Sequence, residues 1–215
     1  MKQRIAILTK SSRHKQYCVV GYDICNNKLV RLVSEDYDSQ GSITDAHLTY
    51  SNGEIVSVLD LVDIEIKFDC PSETHPEDLL IDETKKWVFV EKFSLEKIPS
   101  DIYCSDEMIY LNTNPEITLS EVKQIKKSII AAKVKNLTLY RSFSGKTKAK
   151  FDYNNEKYEN FSVTDPEYYD ITESYIEDAI LIISLPNDKW SYAKNRFFKF
   201  IAKIYTNHEL HSFSK

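Results

Sequence analysis

Short apolar runs separated by polar residues shape the N-terminal part of the chain. The runs cover residues 5–8, 18–23 and 29–33, and each is bounded by polar or turn-forming residues. Runs of this kind predict two or three β-strands. Asn26 and Asn27 lie between the last two runs, where residues that tolerate a left-handed backbone favour a tight hairpin. This part of the chain is therefore predicted to fold as a meander.

Polar residues 9–15 are predicted to form one loop between the first two runs. The loop combines cationic and imidazole groups with hydroxyls, a composition that suits an anion such as a phosphate. Its candidate phosphate contacts are Lys10, Ser11, Arg13 and His14. Two further candidates, Arg31 and His75, join this group if the strand ends converge. The alternative for His75, which Pro76 holds extended, is a loop residue bonded to backbone.

The composition describes an ordinary globular protein. The chain has 215 residues, 42% of them hydrophobic and 28% charged, which is enough for one large domain or two small ones. No apolar run approaches the roughly 20 residues needed to cross a bilayer, and the N-terminus lacks the pattern of a secretory signal. We therefore expect a cytoplasmic protein without a membrane partner. The four cysteines are irregularly spaced, so we expect reduced thiols, and neither a metal nor another cofactor.

A helix followed by strands is predicted for the second half. Residues 119–134 carry an apolar stripe at helical spacing, and Thr118 or Ser120 can cap the helix. Apolar or alternating runs then predict strands at residues 137–143, 146–153, 158–164, 179–185 and 197–205. One helix with five strands at most is the content of a small β-barrel.

Positive charge is concentrated in residues 120–150, although the whole chain has a net charge of −5. This segment holds nine Lys or Arg residues and one acid, with aromatic residues interleaved. Basic segments with exposed rings bind single-stranded nucleic acid in many proteins. The candidate phosphate contacts in this half are Arg141, Lys146, Lys148 and Lys199, and the stacking candidates are Tyr140, Phe143 and Tyr153. The alternative is that these rings point inward and the lysines only solubilise the protein.

No catalytic motif stands out in the sequence. There is no G-x-S-x-G elbow, P-loop, G-x-G-x-x-G or H-E-x-x-H, and four glycines leave little room for loops that cradle phosphates. His208 and His211 lie near the C-terminus without further candidate ligands, which favours a frayed end over a metal site. These observations favour a binding module over an enzyme.

The order of several short motifs resembles one known family. Leu-Thr-Lys-Ser at residues 8–11 is followed by Arg-His at 13–14, and later motifs keep the same order, at residues 18–23, 29–34, 59–64, 75–78, 163–166, 183–185 and 198–204. This series is similar to the bacterial and archaeal dual OB-containing domain family. The resemblance covers nearly the whole chain.

The resemblance implies a mainly β, β-rich α+β fold with one or two helices, arranged as two small OB-like barrels in tandem. The expected boundaries are residues 1–99 and 100–215. Because OB barrels commonly bind oligonucleotides, the implied function is nucleic-acid binding, and the family context implies a bacterial defence or mobile-element system. Two alternatives stay open, a nucleotide or ADP-ribose-type ligand sensor or enzyme and a protein-interaction adaptor that uses the acidic Tyr-rich segment. The oligomeric state is not predicted.

Overall fold

Strands that are largely buried form a closed ring in the first half of the molecule. The computed structural model describes residues 1–13, 16–36, 40–187 and 189–206, without the side chains of Arg13 and Lys189. The first ring contains β1 (Lys2–Arg13), β2 (Gln16–Asp23), β3 (Lys28–Val33), β4 (Asp60–Asp69) and β5 (Asp78–Ile81), with β6 (Val88–Lys92) added at the edge of β4. Pairing of β1 with β4 closes the ring. Its interior is filled by apolar side chains that include Ile5, Val30 and Ile64.

A connecting segment with little regular structure leads to the second half. It contains 3-10 turns at Leu95–Lys97, Ser100–Ile102 and Ile109–Leu111, the short strand β7 (Glu116–Ile117) and the helix α1 (Leu119–Val122). Their apolar side chains are largely buried.

The second half closes a barrel of five strands. These are β8 (Ile129–Arg141), β9 (Thr147–Tyr153), β10 (Glu156–Val163), β11 (Glu173–Ser184) and β13 (Phe200–Thr206). A 3-10 turn at Pro166–Tyr168 follows β10, while α2 (Lys189–Lys194) and β12 (Phe197–Phe198) lie between β11 and β13. β12 pairs with β7 of the connecting segment.

The two rings share one topology. In each ring the first strand pairs with the second and the fourth, and the third strand runs parallel to the fifth, as β3 does to β5 and β10 does to β13. This confirms the predicted fold class of tandem five-stranded barrels. The predicted boundary between residues 99 and 100 stays a prediction.

An apolar layer joins the two barrels. Val20 and Tyr22 on the outer side of β2 and Leu29 on β3 cluster with Ile180 and Ile182 of β11. Polar contacts cross the same junction, because the Tyr205 hydroxyl donates to the Leu8 carbonyl at 2.6 Å. The Glu77 carboxylate accepts from the Ser128 backbone N–H and hydroxyl, at 2.5 and 2.8 Å.

Two local predictions were wrong. Helix α1 ends at Val122, and residues 129–134 begin β8 instead of continuing a helix. The apolar residues there are buried on both faces of a strand, inside the second barrel and against the first, and such a run also fits helical spacing. The predicted cap is present, because the Thr118 hydroxyl accepts from the Glu121 N–H at 3.4 Å.

The second wrong prediction concerns residues 9–15. Residues 9–13 are not a loop but the end of β1, paired with residues 16–20 of β2. The side chains of Thr9 and Ser11 are buried. Within the described ranges, none of the helices is both long and apolar enough to cross a membrane.

Candidate nucleic-acid interface

A row of side chains crosses four strands on the outer surface of the second barrel. Tyr140 on β8 is the register partner of Lys148 on β9, Lys148 is the partner of Ser162 on β10, and Ser162 is the partner of Phe200 on β13. All four are partly exposed. Register partners in neighbouring strands lie on one face of a sheet, so these four residues form one line, which we call the cross-strand row.

Lys148 is the cation at the centre of the cross-strand row. Its ammonium donates to the Ser162 hydroxyl at 2.8 Å and to the Asn160 carbonyl at 3.1 Å. Partial burial and the neighbouring Lys146 lower the pKa of Lys148. An anion that approaches Lys148 stabilises its charged form, because the anion offsets both the desolvation by burial and the repulsion from Lys146.

The turn between β8 and β9 presents an aromatic ring to solvent. The Ser142 N–H donates to the Lys146 carbonyl at 2.9 Å and the Gly145 N–H donates to the Ser142 carbonyl at 2.9 Å. Gly145 has φ of 75°, which glycine adopts at little cost. Phe143 on this turn has a relative exposure of 115%. This hydrogen-bonded turn therefore holds the Phe143 ring in solvent, where the ring makes little contact with the rest of the protein.

A surface cleft connects the turn to the far end of the cross-strand row. Its volume is about 430 Å³, and its walls include Arg141, Lys146, Tyr169, Ser162 and Phe200. The Arg141 guanidinium donates to the Tyr169 carbonyl at 2.6 Å and lies 4.0 Å from the fully exposed Asp170 carboxylate. Cations, hydroxyls and a ring therefore share one concave surface.

Comparison with known protein families gives a match over most of the chain. A family model described as the dual OB-containing domain matches residues 3–204. The chain belongs to this family. Among curated proteins there is no match.

Two solved structures are similar to this dual OB-containing domain at low identity. The crystal structure of the Ifi202 HINa domain in complex with 20bp dsDNA is 12% identical, with a TM-score of 0.41 and 96% of both chains covered. A murine DNA binding protein bound with ds DNA is 7% identical, with a TM-score of 0.33 and coverage of 96% of this chain and 99% of that chain. These likenesses are too distant to carry an argument about ligands.

Two predicted phosphate contacts of the dual OB-containing domain are buried in the first barrel. Arg31 is 3% exposed, and its guanidinium donates to both Asp78 carboxylate oxygens at 2.7 and 2.6 Å. His75 has no exposed surface, and its ring nitrogens contact the Thr74 hydroxyl at 2.9 Å and the Leu185 carbonyl at 3.2 Å. Both predictions are corrected, because each side chain already has protein partners in the junction between the barrels.

Three further candidates are also buried. The Lys199 ammonium points inward and donates to the Ile109 carbonyl and to both oxygens of Asn112, at 2.6 to 2.9 Å. Tyr153 belongs to the barrel interior and donates to the carbonyls of Cys104 and Asp106. Ser11 is 4% exposed. Because none of these side chains reaches the surface, the assignments to phosphate binding and stacking are corrected.

The remaining candidates of the first barrel do not join the cross-strand row. Lys10 is half-buried between the barrels, and its ammonium donates to the Val56 carbonyl at 2.5 Å. Burial lowers the pKa of Lys10. Arg13 lies at the end of β1, and its side chain, like the whole of His14, lies outside the described residues. The predicted phosphate site around residues 9–15 is therefore not assembled by the part that the structure describes.

The lysines and arginines of residues 120–150 do not all lie on one surface. Lys123 pairs with Glu73 at 3.1 Å, and Lys133 lies 4.3 Å from the ring centroid of Tyr103. The cations at the turn end of the β8–β9 hairpin, which we call the hairpin group, are Arg141, Lys146, Lys148 and Lys150. Only the hairpin group shares a surface with Tyr140 and Phe143, among the residues that the structure describes.

Sequence analysis missed an exposed aromatic group at the end of the cross-strand row. The Phe198 ring lies 6.0 Å from the Phe200 ring and 5.9 Å from the Trp190 ring, measured between centroids. We call Phe200, Phe198 and Trp190 the aromatic ladder. A signal for it was present, because residues 189–203 contain five Lys or Arg, no acid and interleaved aromatic residues.

A second cleft of this dual OB-containing domain lies at the junction of the barrels. Its volume is about 580 Å³, and Phe68, Leu80, Asp78 and Tyr192 are among its lining residues. No Lys or Arg is among the described residues that line it, so these residues provide no cation of the kind that contacts the phosphates of a nucleotide or ADP-ribose-type ligand. Nor do three His, Cys, Asp or Glu side chains of the described chain cluster as metal ligands do.

Proposed function

We propose that this dual OB-containing domain binds single-stranded nucleic acid across the outer face of its second barrel. The observation that carries the proposal is the cross-strand row, in which a lysine stands between two partly exposed aromatic residues in continuous register. Phosphates would contact Lys148 and its neighbours, and bases would stack on the rings. Single-stranded nucleic acid is held by this combination because every base offers a face for stacking.

The position of the row in the barrel supports the same proposal. OB barrels bind oligonucleotides on the face of their second and third strands and on the loops next to it. In the second barrel these strands are β9 and β10, which carry Lys148 and Ser162. The first connecting loop is the turn that carries Phe143.

Local charge favours a polyanion over a neutral ligand. Arg141, Lys146 and Lys150 are exposed on the hairpin beside Lys148. Acidic groups are also near, because Glu173 is the register partner of Tyr140 and Asp170 approaches Arg141. Since charge pairs at the surface contribute little, Arg141 can exchange Asp170 for a phosphate at small cost. The defence or mobile-element context implied by the family resemblance is no part of this proposal.

The test is binding of a fluorescently labelled single strand, measured by anisotropy at several salt concentrations. For single strands the logarithm of the binding constant falls with the logarithm of salt by about 0.7 for each phosphate neutralised. The double variant Lys146→Gln, Lys148→Gln should therefore bind more weakly and reduce this slope by about 1.4. Lys85→Gln changes an exposed lysine of the first barrel and serves as the matched control.

Three results would contradict the proposal. One is the absence of binding, another is binding that does not depend on salt, and the third is an equal loss in the control variant. Binding of a duplex of the same sequence tests whether the protein prefers single strands. Duplex binding as tight as that of the single strand would refute the preference for unpaired bases.

A further inference from the structure

The aromatic ladder has an open outer end. The Trp190 and Phe198 rings are nearly parallel, at 16° and 5.9 Å, so Phe198 covers one face of the indole. Trp190 is nonetheless 48% exposed. Its other face is therefore available to a flat group of matching size, and aromatic pairs of this kind gain from stacking beyond the burial of area.

Strand alternation explains why two rings of the ladder face outward. Phe197 and Lys199 are fully buried, and their neighbours Phe198 and Phe200 are partly exposed. The Lys199 ammonium is tied to three oxygens of the connecting segment. Because these contacts anchor the backbone, the outward rings are held in place by residues that do not themselves touch solvent.

Charge around the ladder suits a polyanion. Residues 189–203 carry five Lys or Arg and no acid. Lys199 and Lys203 are buried, so Lys194 and Arg196 are the exposed cations of this segment whose side chains the structure describes. The Arg196 guanidinium lies 5.3 Å from the ring centroid of Phe198, and Glu116 holds it at 2.6 Å. An arginine among exposed rings can add a cation–π contribution to the binding of single strands.

The ladder continues the cross-strand row without a gap. Phe200 is the register partner of Ser162 and is also the first ring of the ladder. From Tyr140 to Phe200 the row crosses three strand spacings, about 14 Å in total at about 4.8 Å each. The ladder then adds steps of 6.0 and 5.9 Å.

We propose that the aromatic ladder is a second base-stacking subsite, which extends the bound single strand from the β8–β9 hairpin to α2. This inference rests on the function proposed above. It predicts that a long strand contacts both regions, whereas a short strand contacts the hairpin alone.

Trp190 itself provides the measurement. The chain has two tryptophans, and Trp87 is only 2% exposed, so a ligand that quenches fluorescence reports on Trp190. We would titrate oligothymidylates of about 4 and about 16 nucleotides, which bracket the site sizes of OB folds. The long strand should quench the signal and the short strand should not.

Variants of the ladder test the affinity. Trp190→Ala should weaken binding of the long strand about fivefold or more, the loss typical of one stacked base, and leave the short strand unaffected. Trp190→Phe keeps a ring and should retain most of the affinity. Phe89→Ala removes a ring of the first barrel that is 46% exposed. This variant should bind the long and the short strand as tightly as the wild type.

The outcomes separate the two proposals. Long strands that bind by anisotropy without quenching, and equally well to Trp190→Ala, would overturn the ladder while the hairpin site stands. A failure of all strands to bind would overturn the proposed function and the ladder with it. An equal loss of affinity in Trp190→Ala and Phe89→Ala would also overturn the ladder.

Discussion

The two barrels have the same strand order but expose different surfaces. In the first barrel the second and third strands are buried on both sides, and β2 is buried from Val19 to Asp23. In the second barrel the equivalent strands alternate, so that buried Ala149 and Phe151 flank exposed Lys150. The face on which OB barrels commonly bind nucleic acid is thus covered in one barrel and open in the other. Topology alone therefore does not decide whether a barrel can bind nucleic acid. The outward side chains of its second and third strands decide it.

The covered face depends on one buried ion pair. Arg31→Ala would leave the Asp78 carboxylate 6% exposed and without its guanidinium. Removal of one partner of a buried pair costs about 3–5 kcal/mol, so urea unfolding of the variant should show a loss of this size. Arg141→Ala, at an exposed position of the other barrel, should cost less than about 0.5 kcal/mol. Similar losses in the two variants would refute the division into a covered and an open face.

A smaller effect is expected from shortening apolar side chains on the covered face. Val20 has no exposed surface and packs between the barrels. Val20→Ala should cost about 2 kcal/mol, from the lost burial and the cavity left behind. Lys148→Ala, on the corresponding strand of the second barrel, should cost less than about 1 kcal/mol. Urea unfolding of both variants measures the difference, and a larger loss for Lys148→Ala would reverse the comparison.

Buried cations are also held differently in the two barrels. Arg31 faces a carboxylate, whereas Lys199 donates to three amide oxygens. Burial lowers the pKa of Lys199 from 10.5 to about 7. Above about pH 7 the folded chain has released this proton while the unfolded chain still binds it, so the free energy of unfolding should rise with pH.

We expect a gain of about 1–2 kcal/mol between about pH 7 and pH 9, because the three oxygen acceptors partly oppose the effect of burial. Urea unfolding at both pH values measures this gain. Lys199→Met removes the titrating group and should show a smaller rise, whatever its stability at pH 7. A wild-type profile that falls with pH, or an unchanged rise in Lys199→Met, would contradict this assignment.

Short strands and their order could be predicted from the sequence, because alternation and turn residues are local signals. Asn27, for example, has φ of 50° in the β2–β3 turn, as its position between two apolar runs indicates. The failures share a different cause. Residues 129–134 are buried on both faces because the other barrel covers them, and no local pattern separates such a strand from a helix.

The same limit applies to the candidate site. The sequence identifies Arg31 and Lys199 as cations, but it does not reveal that both are buried. Their partners Asp78 and Asn112 are far away along the chain. Tyr140 and Tyr153 lie on neighbouring strands. The alternation of side chains along each strand places Tyr140 on the outside of the barrel and Tyr153 inside it. Composition indicates a basic segment of the chain, but the alternation of side chains along each strand decides which residues reach the surface.

The exposed turn of the second barrel offers the smallest and most selective change. Phe143 makes little contact with the protein, so Phe143→Ala should leave the free energy of unfolding unchanged within about 0.5 kcal/mol. If bases stack on this ring, the variant should bind a labelled single strand about fivefold more weakly, and Phe143→Tyr should restore the affinity. Anisotropy at constant salt measures both. Wild-type affinity in Phe143→Ala, together with weakened binding in Lys148→Gln, would remove the turn from the interface and confine the bound strand to the cross-strand row.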